Sequence, residues 1–444
     1  MRPAPPLALL ALGCLALGCL ALGCPSTPDP APDATSGLDA SRPDARELDA
    51  PRADAGPPAP PPSEPGRHAV SLVESRRIVP GPGLPVEAPA QTSNNNLDVI
   101  RFEGRVYLAF RTGPSHFASP EVRLHLVSSD DEVTWRYERS YARTTDLREP
   151  RLLAVGGRLF LYLAELGSNP SDFEPMGTLV SERLADGTWT DPAPVPGLEN
   201  AIAWRTRTER VGGVETPFMV AYYGGEMVYD FLNEPMVRVD LLTSEDGLAW
   251  APYDPAHRTL YVGGASETDF SLDDAGDLVG VMRNEAGDAA SGFGSRVCRA
   301  SAGSLAEWSC RTDPRKFDSP LMFFHDGEHY LVGRRNVTET GAYDLMSDER
   351  TLAQRALTNQ IAYRNAPKRC ALWRYVAEEE RFAFILDLPS RGDTCFPARL
   401  DGPSSEEIVI YDYTSDPEGP DVPWHEGQEG PTFIYRHALR FEPR

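Results

Sequence analysis

The chain has 444 residues, a quarter of them charged, and a formal net charge of −23. Arg2 contributes +1 and residues 25–68, with eight acids and four arginines, contribute −4, so residues 69–444 carry −20. A surplus of that size excludes nucleic acid or any other polyanion held by bulk charge.

In chain order, Arg2 precedes an apolar run from Leu7 to Leu22 that stops at Gly23-Cys24. The run is too short for a spanning helix and reads as a secretory signal over 1–24. Ala-Leu-Gly-Cys recurs, ending at Cys14, Cys19 and Cys24. The small residue before Cys24 resembles a bacterial lipobox, which makes Cys24 the expected lipidation site and the cell envelope the expected location. Residues 25–68 are mostly Pro, Ala and Asp. With so little apolar surface to bury, they are expected to form a disordered tether.

Residues 69–444 are expected to form one all-β domain. Three hairpins repeat a pattern: Asp98 to Arg111 around Gly104, Asp269 to Arg283 around Gly276, and Asp318 to Arg334 around Gly327. In each, the Arg follows the Gly by seven residues, so acid and base should meet at one rim of a sheet. Weaker copies begin near residues 146, 202 and 393, and the spacing of about 50–75 residues suits four-stranded propeller blades. Residues 69–79 are expected to pair with the last blade beside Thr432–Arg436 and close the ring. Four cysteines fall in this region. Cys298 and Cys310 flank a short turn and are expected to pair, leaving Cys370 and Cys395 as the second disulfide.

Ser128 to Trp135 fits the pattern SxDxGxTW with Glu132 in place of Gly, and Ser244 to Trp250 is a one-shorter variant. These turns, each following a hairpin, resemble the Asp boxes of the sialidase-like superfamily. The resemblance covers the exported domain and implies a six-bladed β-propeller of four-stranded antiparallel blades.

The rim so formed should collect Asp98, Arg148, Glu149, Trp204, Arg205, Glu267, Asp269, Asp318 and Asp393, with Arg111, Tyr222, Arg283, Arg334, Arg335 and Tyr411 from the second strands. Carboxylates, guanidinium groups and aromatic rings around a concave centre are what a carbohydrate site needs. The catalytic candidates are Asp98, Glu267, Asp269, Asp318, Asp393 and Tyr411. Arg111, Arg148, Trp204, Arg205, Tyr222, Arg283, Arg334 and Arg335 are the candidates for binding.

The sialidase resemblance implies Arg283 with Arg334 or Arg335 as carboxylate ligands, Tyr411 as nucleophile and Glu267 as its assistant. The chain departs from that family where Asn96-Leu97-Asp98-Val99 stands in place of the Phe-Arg-Ile-Pro motif. It departs again in Thr112–Pro120, which holds Ser115 and His116 but no acid/base carboxylate. The expectation is therefore a glycoside hydrolase using rim carboxylates rather than an orthodox exo-sialidase. A non-catalytic glycan-binding propeller and a structural or protein-interaction propeller are the alternatives. The expected partner is a glycan or oligosaccharide, and the membrane is met only through the lipid. No nucleic acid, cofactor or metal is expected, and the chain should be a monomer. His325 and His329 flank the turn at Gly327 and are expected to be solvated.

Overall fold

The apolar alternation of the hairpins leaves each strand with a face to bury, and the six hairpins meet that need by stacking as blades. The computed structural model describes residues 57–444 except 231, 232, 234 and 348. The signal, Cys24 and the tether up to residue 56 lie outside the described residues.

Six antiparallel sheets form the ring. Their innermost strands are Ser93–Phe102, Asp146–Val155, Ala201–Val211, Ala265–Leu272, Asp318–His325 and Ala398–Asp401. Each blade has four strands, and the third carries an extra short one, Tyr261–Gly263. The inner strands of blades one to five meet in chain order, blades five and six share a core of Leu321, Phe323, Ile408 and Ile410, and Ser93–Phe102 meets Ala398–Asp401, which closes the circle. His68–Val79 supplies the outer strand of blade six by pairing with Phe433–Pro443, as the sequence suggested. Ahead of it, residues 57–67 lie along blade five, where the Glu64 backbone N–H donates to Phe384 O at 2.8 Å and Arg67 N donates to Glu328 at 3.0 Å. Both expected disulfides, Cys298–Cys310 and Cys370–Cys395, are formed.

A shared irregularity sits where the inner strands begin. Pairing with the second strand slips between Asn95 and Leu97, Arg148 and Arg151, Ala203 and Arg205, Ala265 and Thr268, and Asp318 and Leu321. Asn96 (φ 39°), Glu149 (φ 51°), Ser319 (φ 51°) and Cys395 (φ 81°) adopt left-handed backbone there. Such bulges re-aim the side chains around them and are costly for residues other than glycine.

The channel is filled below this level. Trp204 of blade three and Phe396 of blade six pack edge to face at 5.4 Å, with the Arg151 guanidinium 5.0 and 4.4 Å from their ring centres. Above it, three insertions leave the blades at the same end: the 3-10 turn Gly225–Tyr229, the helix Leu352–Asn365 and the short helix Trp424–Glu429.

The Asp-rich turns lie at the opposite end. Asp131 Oδ1 accepts from Val133 N and Thr134 N at 2.8 Å, and Asp246 Oδ1 accepts from Leu248 N and Ala249 N at 2.8 and 2.9 Å. Ser129 and Ser244 close the two loops onto Thr134 O and Ala249 O. The closing residues of the first turn are thus Ser129 and Asp131, one position later than Ser128 and Asp130. The two turns then have the same length, with Glu132 and Gly247 both left-handed. His329 is not solvated as expected: it is buried and bonded to Ser271 at 2.8 Å.

Candidate functional site

The bulged strand ends deliver charge to the funnel in two tiers. In the upper tier, Asp146 meets Arg111 of blade one at 2.8 Å and Arg148 of its own strand, and all three are buried. The two guanidinium groups hold the Asp146 carboxyl far below its usual range against the opposing effect of burial. Across the funnel, Asp318 accepts from Arg334 at 2.9 Å and from the Tyr363 hydroxyl at 2.7 Å, with Lys316 Nζ 3.3 Å away. Burial opposes ionisation of Asp318, but Lys316, Arg334 and Arg283 outweigh it and hold the group at about 2. Arg283 bridges Glu267 and Glu285, and Lys316 adds a 2.9 Å contact to Glu285. Burial, with the negative charge of Asp318 added, pushes Glu267 up to about 7 despite Arg283.

The lower tier joins blades. Asp98 accepts from Leu152 N of blade two at 2.7 Å, and Asp269 accepts from Met322 N of blade five at the same distance. Arg205 lies 3.3 Å from Asp269 and donates to Pro320 O at 2.7 Å. Trp204 forms part of the channel plug and Tyr222 is buried beside it, ring centres 6.4 Å apart. These five side chains sit beneath the opening, where they hold blades together.

Two expected site residues point elsewhere. The Tyr411 hydroxyl donates to Glu132 at 2.9 Å, in the turn at the opposite end of the ring. Its neighbour on the same strand face, Tyr413, is the one that reaches the funnel, bonding Asp393 at 3.0 Å. Arg335 alternates away from Arg334 and pairs with Asp387 at 2.6 Å. Only the third hairpin makes the ion pair its pattern suggested, Asp318 with Arg334. The bulges displace the other two: Arg111 crosses to Asp146, and Arg283 faces Glu267 instead of Asp269.

The insertions cover much of the charge. Tyr363 and Gln360 of the long helix bond Asp318 and Glu285, the Tyr343 hydroxyl bonds Glu285 O at 2.9 Å, and Trp424 Nε1 donates to Asp393 at 3.0 Å. Exposed surface at this end remains on the blade-one loop, on the inner strand of blade two and on the 3-10 turn of blade three. His116 is one-fifth exposed, Glu149 is partly exposed and Tyr229 is 46% exposed, packed edge to face on Phe173 at 5.8 Å. Glu149 differs from the other funnel acids. Its Oε2 has no hydrogen-bond partner, and burial raises its carboxyl although Arg151, Arg148 and His116 oppose the shift.

Neither His116 nor Glu149 was singled out for chemistry in the sequence. Glu149 appeared only as a rim residue, and His116 only as what remained in a loop without a carboxylate. Among the described residues one group has metal-ligand composition, Cys370, Cys395 and Asp412, and its sulfurs are joined in the disulfide.

No protein-family model and no curated protein matches the sequence. Solved structures do resemble the fold. A protein of unknown function from Dyadobacter fermentans aligns over 84% of this chain and 100% of its own, at 16% identity and a TM-score of 0.53. Trypanosoma rangeli sialidase with the inhibitor DANA aligns over 78% of this chain and 55% of its own, at 12% identity and a TM-score of 0.49. Zg3597, a family 117 glycoside hydrolase of Zobellia galactanivorans, aligns over 61% of this chain and 86% of its own, at 14% identity and a TM-score of 0.36. At these identities the likeness speaks to the fold alone.

Proposed function

We propose that this chain is a cell-envelope propeller that acts on glycans, hydrolysing a glycosidic bond at the mouth formed by blades one to three. The observation that carries this is Glu149. Asp146, Asp318, Glu285 and Asp393 are each committed to cations or hydroxyl and indole donors. Glu149 alone in this tier combines intermediate exposure of the residue, a buried oxygen without a hydrogen-bond partner and a carboxyl raised by burial. A carboxyl that holds its proton more tightly than usual can give it to a departing glycosidic oxygen. At the same end of the ring, the Tyr229–Phe173 ring pair offers aromatic surface for a sugar face. Residues 1–24 support export and anchoring through a lipid on Cys24, with a monomer and a glycan as the working assembly.

A second reading, glycan binding without hydrolysis, is favoured by the neutralisation of the other funnel acids. The experiment that separates the two is a screen of the domain on chromogenic glycosides and on a broad glycan array. We expect turnover that falls about 100-fold or more in Glu149→Gln while binding persists. Binding without turnover would establish the second reading, and neither binding nor turnover would remove glycans from the account altogether.

A further inference from the structure

We infer that His116, oriented by Asp393, is the base that activates water in this mouth, a role that rests on the hydrolytic reading above. His116 Nδ1 lies 2.8 Å from Asp393 Oδ2, while Nε2 has no protein partner among the described residues. Asp393 is fully buried and fixed by two further donors on its other oxygen, the Tyr413 hydroxyl and Trp424 Nε1, both at 3.0 Å. A buried, immobilised carboxylate facing Nδ1 sets the tautomer: the proton stays on Nδ1 and the Nε2 lone pair points outward.

A purely structural pair would be needed to hold the loop 112–120, yet that loop is already held by its backbone. Arg111 donates to Ser115 O at 3.2 Å and to Phe117 O at 3.0 Å. Arg148 donates to His116 O at 3.3 Å, and His116 N donates to Gln428 O at 3.0 Å. With the main chain fixed from both sides, the side chain is free to serve the opening. Burial opposes ionisation of Asp393, and the neighbouring His116 and Arg334 still hold it below the usual carboxylate range, so the orienting charge is present at neutral pH.

The step balances. Water oxygen bonds to the anomeric carbon and gives a proton to His116 Nε2. The bond from that carbon to the leaving oxygen breaks, its electron pair stays with the oxygen, and the Glu149 carboxyl protonates it. Solvent then returns the proton from His116 to Glu149.

The test uses the exported domain and the chromogenic glycoside that the wild type turns over. His116→Gln should lower kcat about 100-fold with KM nearly unchanged, and the acid limb of the kcat/KM profile should disappear. A wild type that hydrolyses while His116→Gln keeps both kcat and the acid limb overturns the inference and leaves the hydrolytic reading standing. A wild type that hydrolyses nothing sinks that reading, and the dyad is then judged by 15N NMR of the histidine rings. There, the Nδ1–H tautomer at His116, lost in Asp393→Asn, is the expected result, and an Nε2–H tautomer in the wild type overturns the assignment. Thermal melting of each variant confirms that the ring is intact.

Discussion

Asp146 shows how strongly single side chains are committed in this funnel. It is the shared counter-ion of two buried guanidinium groups, and those groups hold the loop that carries His116. Asp146→Ala leaves both cations without a partner in a dry site, which should cost about 3–5 kcal/mol in denaturant unfolding. The His116 loop should loosen with it, seen as faster proteolysis within 112–120. An unchanged unfolding midpoint would show that Arg111 and Arg148 find other acceptors. The residue pattern was partly legible. Of the acids and bases placed at opposite ends of a hairpin, Asp318 and Arg334 realised the pattern. For Arg111 and Arg283 it named the wrong acid, because a bulge adds one residue and turns the side chain toward a neighbour. Nothing local announces such bulges at Asn96, Glu149 or Ser319, since none of them is glycine. The His116–Asp393 pair spans 277 positions and joins two loops that meet only once the ring closes.

At the scale of elements, the strands were readable and the helices were not. Hairpin periodicity located all six inner strands. The helix Leu352–Asn365 has a capping box, with Gln354 N donating to Thr351 at 3.3 Å and Thr351 N donating to Gln354 at 3.1 Å. Its buried face is Ala356, Asn359, Gln360 and Tyr363, largely polar because it covers carboxylates rather than a core. A polar inward face leaves no hydrophobic stripe to detect. The sequence allowed residues 69–79 to close the ring, and they do so although most of the strand is exposed. Removing residues 1–67 should leave the ring folded, since the Glu64 contact with Phe384 and the Glu64–Arg381 ion pair at 2.7 Å are surface interactions. Removing residues 1–79 strips blade six of its outer strand and bares the edge of Phe433–Pro443. That truncation should aggregate on size-exclusion chromatography while the shorter one elutes as a monomer. Equal behaviour of the two would mean that the strand does not close the ring.

Over the whole molecule, buried titrating groups set a window of stability. Burial lowers His125 and His329 to about 4 and His437 to about 3. These three bind protons more readily unfolded than folded, so their contribution is present above the ordinary histidine range and is lost as pH falls toward 4. Asp146, with a lowered folded value, acts in the same direction at still lower pH. Burial raises Asp412 and Glu267 to about 7, which works the other way: folded acids that hold their protons lose stability as pH rises from about 4 to 7. The melting temperature should therefore peak in mildly acidic buffer and fall on both sides. Asp412→Asn, which keeps an acceptor for Phe396 N, should flatten the upper side. A profile that still rises through pH 8 would contradict this.

The pairing of His68 with Pro443 sets an order in time. Blades one to five can each complete from contiguous sequence as the ribosome releases it. The sixth cannot, because its outer strand is made first and its partner is made last. During synthesis of the roughly 350 intervening residues, the strand His68–Val79 must wait with its hydrogen-bonding edge unanswered. Beyond the buried His68, three of its residues are charged, Glu74, Arg76 and Arg77, which keeps the waiting strand soluble. The first segment of the propeller to exist is thus the last to find its place, and no incomplete chain can close the ring.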